Sequence, residues 1–426
     1  MLKISNFESM SHFLTLTCKQ PKGRIVLPAS KSISNRALLI NALAGNNKLP
    51  LNLSDSDDTD VMLRALQEMP EIIDIGAAGT SMRFLTAYLS VTPGKHVITG
   101  TERMRHRPIA ILVDALRQLG GNITYVGEEG FPPLCIIGNS NLEGGELIVP
   151  GDVSSQYISA LLMIAPTLCK GLHLTLTGNI ASKPYLEMTL SMMREFGAQA
   201  EWVSENTITV QHSPYGQHSY HIESDWSAAS YWYETVALST EKNTQIDLIG
   251  LHQESIQGDS RVRELFNELG VRTEYFVEQD GTEITRLQKG GNVTDYFSCD
   301  LTHQPDLAQT FVVTCCMLNI PFRITGLQSL KIKETDRITA LRTELRKLGY
   351  EIKEQDNSIL IWNGEHCPME ERPSIDTYED HRMAMSFAPA CLRTDRQIQI
   401  NNPQVVTKSY PAFWEDLEKG GYKICR

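Results

Sequence analysis

Along the chain, apolar positions fall repeatedly at helical spacing, stop at glycine, and give way to alternating apolar and polar positions. Ala115 to Leu119 runs into Gly120-Gly121 and then Asn122-Ile-Thr-Tyr-Val126. Met192 to Phe196 runs into Gly197 and then Gln199 to Val203. Arg263 to Leu269 meets Gly270 and continues as Arg272 to Phe276. Leu345 to Leu348 meets Gly349 and then Glu351-Ile-Lys353, and Asp416 to Lys419 meets Gly420-Gly421-Tyr422. Glycine accepts the left-handed conformation that closes a helix, and alternation marks a half-buried strand. The closing glycines stand 77, 73, 79 and 71 residues apart. Near-constant spacing of one α-then-β pattern predicts repeated modules rather than a solenoid, whose periods are shorter. A further helix, Val61 to Met69, is followed by Pro70 and only Glu71 to Ile75, so the first module reads as truncated. The count is six α/β units, arranged as two domains of three.

Composition narrows the class. Of 426 residues, 41% are hydrophobic, enough for two full cores, and 21% are charged without low-complexity runs, which excludes global disorder. The start, MLKISNFESMSHF, has no basic segment leading into an apolar one, and the most apolar stretch, Ile158 to Cys169, is short and holds Pro166. Neither a signal peptide nor a membrane span is expected, which makes the chain a cytoplasmic candidate. Nine scattered cysteines without C-x-x-C spacing argue against disulfides or zinc and read mostly as small core residues. A net charge of −12 disfavours nucleic acid as a partner. An acidic chain can still bind anions if its cations are gathered in one place.

Seven segments share a design suited to anions: a loop with glycine or hydroxyl side chains, then a helix start bearing cations or hydroxyls, where free N–H groups and the helix dipole favour negative charge. Lys31-Ser32-Ile-Ser-Asn-Arg36 precedes an apolar helix stopped by Gly45, and Arg36 lies one turn beyond Ser32. A plain serine cap with solvated cations is the alternative. Gly76-Ala77-Ala78-Gly79-Thr80-Ser81-Met82-Arg83 allows close backbone approach, or tight packing. Arg103-Met-Arg105-His106-Arg107-Pro108 offers Arg107 as a fork for a carboxylate, or a solvated face. Ser154-Ser155-Gln156 suits phosphate, or simple capping. Lys333-Glu334-Thr335-Asp336-Arg337 crowds two acids between two bases, where each shifts the other's proton affinity, as acid–base chemistry requires; a surface ion-pair cluster is the alternative. Asp380-His381-Arg382 and Thr407-Lys408 complete the set, with Pro411 expected in the first turn of the last helix. His381, between Asp and Arg, reads as a structural hydrogen-bonding residue more than as a base. Asp55, Asp57, Asp58 and Asp60 lack calcium-loop spacing and read as helix-capping acids. No P-loop, dinucleotide fingerprint or H-E-x-x-H is present, so no metal or cofactor is expected. The residues alone describe an enzyme that joins two polyanionic small molecules, with Glu334 and another acid moving protons.

Taken together and in order, Lys31 to Arg36, Ala78 to Arg83, Arg107-Pro108, Ser154 to Gln156, Lys333 to Arg337, Asp380 to Met385 and Thr407-Lys408 resemble the signatures of the 5-enolpyruvylshikimate-3-phosphate synthase family. The resemblance covers nearly the whole chain. It implies an α/β enolpyruvyl transferase fold, an inside-out α/β barrel of two domains, each of three βαβαββ-type units. The domains would be 28–224 and 1–27 plus 225–426, with hinge crossings near 24–31 and 222–227 and helix N-termini facing a cleft. It implies transfer of the enolpyruvyl group of phosphoenolpyruvate to the 5-hydroxyl of shikimate 3-phosphate by a monomer without cofactor, and inhibition by glyphosate. Shikimate 3-phosphate would be held by Lys31, Ser32, Arg36, Ser154, Ser155, Gln156, Ser182, Asp306 and Lys333. Phosphoenolpyruvate would be held by Lys31, Gly79, Arg107, Gln156, Arg337, Arg382 and Lys408. Asp306 would take the hydroxyl proton and Glu334 would exchange protons with the methylene carbon, with Lys31 close to both. The chain departs from the family pattern at Ala77, Phe84, Ser329, Leu251–Ile256 and the short first repeat. The related UDP-N-acetylglucosamine enolpyruvyl transferases use a loop cysteine, and Thr101 to Pro108 has none. A non-catalytic relative would not need Lys31, Asp306 and Glu334 together.

Overall fold

A computed structural model describes residues 13–18 and 20–426. The start of the chain, on which the leader reading rests, lies outside them. The chain divides into two compact units. One holds the described residues up to Pro28 with Ser224–Gln253 and Asp259–Arg426, and the other holds Ala29–Glu223 with Glu254–Gly258. The short segment Glu254–Gly258 joins the second unit because Ser255 Oγ and Gln257 Nε2 both donate to the Glu223 carboxylate, at 2.6 and 2.8 Å.

Within the units, five four-stranded sheets repeat one plan. In Gly145–Pro150, Leu172–Thr177, Thr207–Val210 and Ala200–Ser204, the first two strands pair in parallel and the rest antiparallel. A parallel pair needs a crossover, supplied here by the helix Ser155–Ile164. A second helix, Lys183–Glu195, then feeds the closing hairpin. Alternation sets the faces: Leu147 and Val149 point inward while Ile148 is exposed. The sheet Ile72–Asp74, Gly94–Thr99, Leu134–Gly138, Asn122–Tyr125 belongs to the same unit. Three sheets form the other unit, and in two of them the N-terminal strands take part. Gly23–Val26 pairs in parallel with Gln245–Ile249. Phe13–Cys18 lies between Ile398–Asn401 and Tyr422–Cys425, antiparallel to both, with Leu14 and Leu16 buried.

Several sequence expectations shift. Ile72–Asp74 does not close the first module; it pairs with Gly94–Thr99 and opens the next. The first module keeps the helices Lys31–Leu43 and Asp57–Glu68, and its only strand-like contact among the described residues is the isolated bridge Leu51 to His221. Gly270 does not close a helix: Val262–Asn267 has already ended, and Gly270, with φ 83°, sits where the strand Leu269–Val277 changes register. At the last repeat Gly421, not Gly420, takes the positive φ. Four cysteines, 299, 315, 316 and 391, are buried; the other five are partly or fully exposed, so the core reading fits fewer than half. No helix among the described residues is long and apolar enough to cross a membrane.

Because Leu16 is fully buried in the strand that joins two C-terminal strands, Leu16→Ala should cost about 2–5 kcal/mol. Hydrogen exchange should rise across Ile398–Asn401 and Tyr422–Cys425 and stay unchanged in the sheet containing Leu172–Thr177. Unchanged protection at both C-terminal strands would refute this dependence.

Candidate active site

In the unit Ala29–Glu223, Ser30 caps the helix Lys31–Leu43 by accepting from the Ile33 amide at 3.4 Å. This puts Lys31 and Ser32 in the first turn. The acids do not cap the next helix: Asp57, Asp58 and Asp60 lie in the first turn of Asp57–Glu68, whose N-cap is Ser56, and Asp58 Oδ2 is a charge partner 3.1 Å from the Lys31 ammonium. Arg36 is almost wholly buried. Its Nε donates to Thr189 Oγ1 at 2.7 Å, one terminal nitrogen to the Ser32 carbonyl at 2.9 Å and the other to Ser159 Oγ at 3.2 Å. The guanidinium also lies over the rings of Phe84 and Tyr185, at 5.3 and 5.8 Å. All three hydrogen-bond partners are neutral oxygens. Burial pushes the group down to about 10, which leaves it cationic at neutral pH. Phe84 is therefore a support for Arg36, a role the sequence reading did not give it.

Ser154 caps Ser155–Ile164, accepting from the Gln156 amide at 3.4 Å. The Gln156 side chain donates to Thr80 Oγ1 at 3.0 Å, which ties this helix start to that of Gly79–Val91. Gly79 has a specific neighbour: a Cβ there would fall 2.6 Å from a terminal nitrogen of Arg107. Lacking one, the residue lets the buried Arg107 guanidinium lie against the helix start, and Arg107 Nε has no hydrogen-bond partner among the described residues. Arg83 holds this corner by donating to the carbonyls of Gly79 and Pro108, both at 3.2 Å, and the Tyr157 hydroxyl also donates to Pro108. Ser182 precedes Lys183–Glu195 in the left-handed region, φ 54° and ψ 37°, and its side chain makes no capping bond.

The other unit builds its cluster around Arg337, which opens the helix Arg337–Lys347 behind the Asp336 cap and is 1% exposed. Arg337 Nε and one terminal nitrogen donate to the two Asp380 oxygens, at 2.6 and 3.2 Å. The terminal nitrogens also reach Asp306 Oδ1 at 2.9 Å and Glu334 Oε2 at 3.1 Å. Asp306 further meets Arg382 at 3.0 Å and Lys333 at 3.4 Å, and Glu334 accepts from Lys408 at 2.9 Å. Six of the sequence candidates thus stand in one network. Burial alone would raise the Asp306 carboxyl, but Arg382, Lys333 and Arg337 hold it well below the ordinary carboxylate range, against Glu334. Burial likewise opposes the Arg337 charge, yet Asp380, Glu334 and Asp306 lift it above its usual value.

Asp380 is the main residue the site reading omitted: it caps the helix His381–Phe387 through the Arg382 amide at 2.9 Å while binding Arg337. His381 is buried beside it, with Nδ1 3.7 Å from Asp380 Oδ1. Asp259 was also omitted; burial, then the Asp306 charge, push its carboxyl up to about 7. Lys408 does not begin a helix: it ends the 3-10 segment Pro403–Lys408, and the last helix starts at Phe413, beyond Pro411. Among the described residues no group of three His, Cys, Asp or Glu side chains is placed to hold a metal ion.

Comparison with known proteins agrees with these motifs. The model of the EPSP synthase (3-phosphoshikimate 1-carboxyvinyltransferase) family matches residues 17–74 and 69–417. A 3-phosphoshikimate 1-carboxyvinyltransferase of Bacteroides fragilis is 58% identical over 413 residues, covering 97% of this chain and 98% of the relative. One from Mannheimia haemolytica is 36% identical, covering 95% and 98%. Among solved structures, EPSP synthase from Acinetobacter baumannii superposes with a TM-score of 0.76 at 22% identity, covering 97% of this chain and all of that one. The enolpyruvyl transferase NikO from Streptomyces tendae shares the fold at 0.69 and 15%, covering 97% and 98%. The chain belongs to the EPSP synthase (3-phosphoshikimate 1-carboxyvinyltransferase) family.

Proposed function

We propose that the chain transfers the enolpyruvyl group of phosphoenolpyruvate to the 5-hydroxyl of shikimate 3-phosphate, giving 5-enolpyruvylshikimate 3-phosphate and phosphate. The observation that carries this reading is the interleaving of Asp306 and Glu334 with Lys333, Arg337, Arg382 and Lys408. Binding two anions needs only the cations. Carboxylates held among them answer to proton transfer at a site full of negative charge.

Lys31, Ser32, Arg36, Ser154, Ser155, Gln156, Ser182, Asp306 and Lys333 hold shikimate 3-phosphate. The buried Arg36, balanced only by neutral oxygens, supplies a charge-assisted contact to its phosphate. Lys31, Gly79, Arg107, Gln156, Arg337, Arg382 and Lys408 hold phosphoenolpyruvate. As substrate anions engage Arg337 and Lys408, Glu334 takes up a proton from solvent and delivers it to the methylene carbon as the 5-hydroxyl oxygen bonds to the neighbouring carbon, and Asp306 takes the hydroxyl proton. Glu334 then removes a proton from the new methyl group as the carbon–oxygen bond to phosphate breaks. Fixed cations stabilise the charge that develops, with no reorganisation at the moment of reaction.

In the ligand-free arrangement Asp306 is a weak base, because three cations hold its charge. Substrate phosphate and carboxylate groups compete for those cations. As they engage Arg337, Arg382 and Lys333, Asp306 regains basicity, so the base becomes competent only when both substrates are bound. Every role falls to a residue of one chain, and the proposal is of a monomeric cytoplasmic enzyme.

The test is release of phosphate from phosphoenolpyruvate, which should require shikimate 3-phosphate and should not occur with UDP-N-acetylglucosamine as acceptor. The reverse preference, or release from neither, contradicts the reading. Asp306→Asn and Glu334→Gln keep shape and lose proton transfer, so kcat should fall by about 100-fold or more while each KM changes far less; equal effects on kcat and KM would remove the assigned roles. Arg36→Lys cannot reach Ser159 and Thr189 as a fork. It should raise KM for shikimate 3-phosphate and leave KM for phosphoenolpyruvate nearly unchanged, and the opposite pattern would reassign Arg36.

A further inference from the structure

The turn Thr377–Asp380 is strained. Its middle residues, Tyr378 and Glu379, have φ of 53° and 56°, and neither is glycine. Side chains of L-residues crowd the backbone in that region, most of all bulky ones, and such a conformation persists only where its surroundings impose it. Within the turn, the Asp380 amide donates to the Thr377 carbonyl at 2.8 Å. From outside, the turn is gripped by the helix Arg337–Lys347. Glu344, fully buried, accepts from the Tyr378 hydroxyl at 2.6 Å and from the Asp376 amide at 3.0 Å. Lys347 lies 2.7 Å from the same carboxylate and 2.9 Å from Asp376, and donates to the Ser374 carbonyl at 2.8 Å. Burial first, then the hydrogen bond to Glu344, hold the Tyr378 hydroxyl above its ordinary range, so it remains a donor throughout the working pH range.

What the turn delivers is Asp380. Its carboxylate takes two nitrogens of Arg337 and caps the helix bearing Arg382. Arg337 and Glu344 stand on one helix, seven residues and two turns apart, so they share a face. The helix therefore grips the turn at Glu344, and the turn grips the first residue of that helix through Asp380. The circuit is closed, and the orientation of the Arg337 guanidinium depends on both ends.

We propose that Glu344 and Tyr378 are positioning residues for the phosphoenolpyruvate site: by imposing the left-handed turn they aim Asp380, and through it Arg337 and Arg382. Neither touches a reacting group. This rests on the reading above that Arg337 and Arg382 hold phosphoenolpyruvate.

Tyr378→Phe removes one hydroxyl and keeps the ring. It should raise KM for phosphoenolpyruvate about three- to tenfold, part of the worth of one hydrogen bond to a charged acceptor. KM for shikimate 3-phosphate should stay within about twofold, and the thermal midpoint should be nearly unchanged, since Tyr378 is partly exposed. Tyr378→Phe combined with Glu344→Leu should be no worse than Glu344→Leu alone, because leucine offers the Tyr378 hydroxyl no acceptor and the hydroxyl acts through Glu344. Arg382→Lys, measured alongside, tests the underlying assignment and should raise KM for phosphoenolpyruvate selectively. If it does and Tyr378→Phe changes neither KM, or raises both equally, the positioning role is overturned while the site reading stands. If Arg382→Lys spares phosphoenolpyruvate, the site reading fails and this proposal falls with it.

Discussion

One buried guanidinium organises the C-terminal half of this protein. Arg337 is surrounded by the carboxylates of Asp306, Glu334 and Asp380. Removing an ion from water is costly, so it must be paired and fully hydrogen-bonded where it sits. That requirement fixes three segments distant in sequence: the 3-10 turn holding Asp306, the stretch before the helix holding Glu334, and the turn holding Asp380. Two of these carboxylates bind further cations, Lys333 and Arg382 at Asp306 and Lys408 at Glu334. Four cations against three carboxylates leave one formal positive charge, so the cluster is nearly neutral without ligand and favours anions only slightly until its carboxylates are displaced.

The other unit solves the same problem differently. Arg36 is as deeply buried as Arg337 but meets only hydroxyl and carbonyl oxygens. Its charge is solvated by dipoles and stacked on Phe84 and Tyr185 rather than cancelled. An uncancelled buried cation attracts a phosphate strongly and needs no rearrangement to do so. On the proposed reading, a cancelled one trades its carboxylate for the substrate and releases that carboxylate as a base. The two arrangements suit an enzyme in which one anion is simply held and the other must react, because charge exchange in the second cluster couples binding to proton transfer.

Much of this was legible in the sequence. Helix starts close to Lys31, Ser155 and Arg337 follow from caps and apolar spacing, which are local and obey the 3.6-residue period. The regular glycines marked the repeats, although Gly270 belongs to a strand and Ile72–Asp74 to the following unit, because which strand pairs with which is decided by neighbours far along the chain. The same limit hid the supports of the site. Asp380 is 43 residues from Arg337, and Thr189 is 153 from Arg36. No periodicity joins such pairs. Only the crowding of acids and bases at Lys333–Arg337 and Asp380–Arg382 hinted that the two segments answer one another. The left-handed pair Tyr378-Glu379 gave no signal, since neither residue favours that conformation and only the clamp from Glu344 explains it.

The central claim is that substrate anions take cations away from Asp306 and so restore its basicity. It can be measured by carboxyl carbon-13 NMR on aspartate-labelled protein, with Asp306→Asn identifying the resonance. In the free enzyme Asp306 should titrate well below the ordinary carboxylate range. With shikimate 3-phosphate and an unreactive phosphoenolpyruvate analogue bound, its midpoint should move upward. A midpoint that stays where it was, or falls further, would contradict the account.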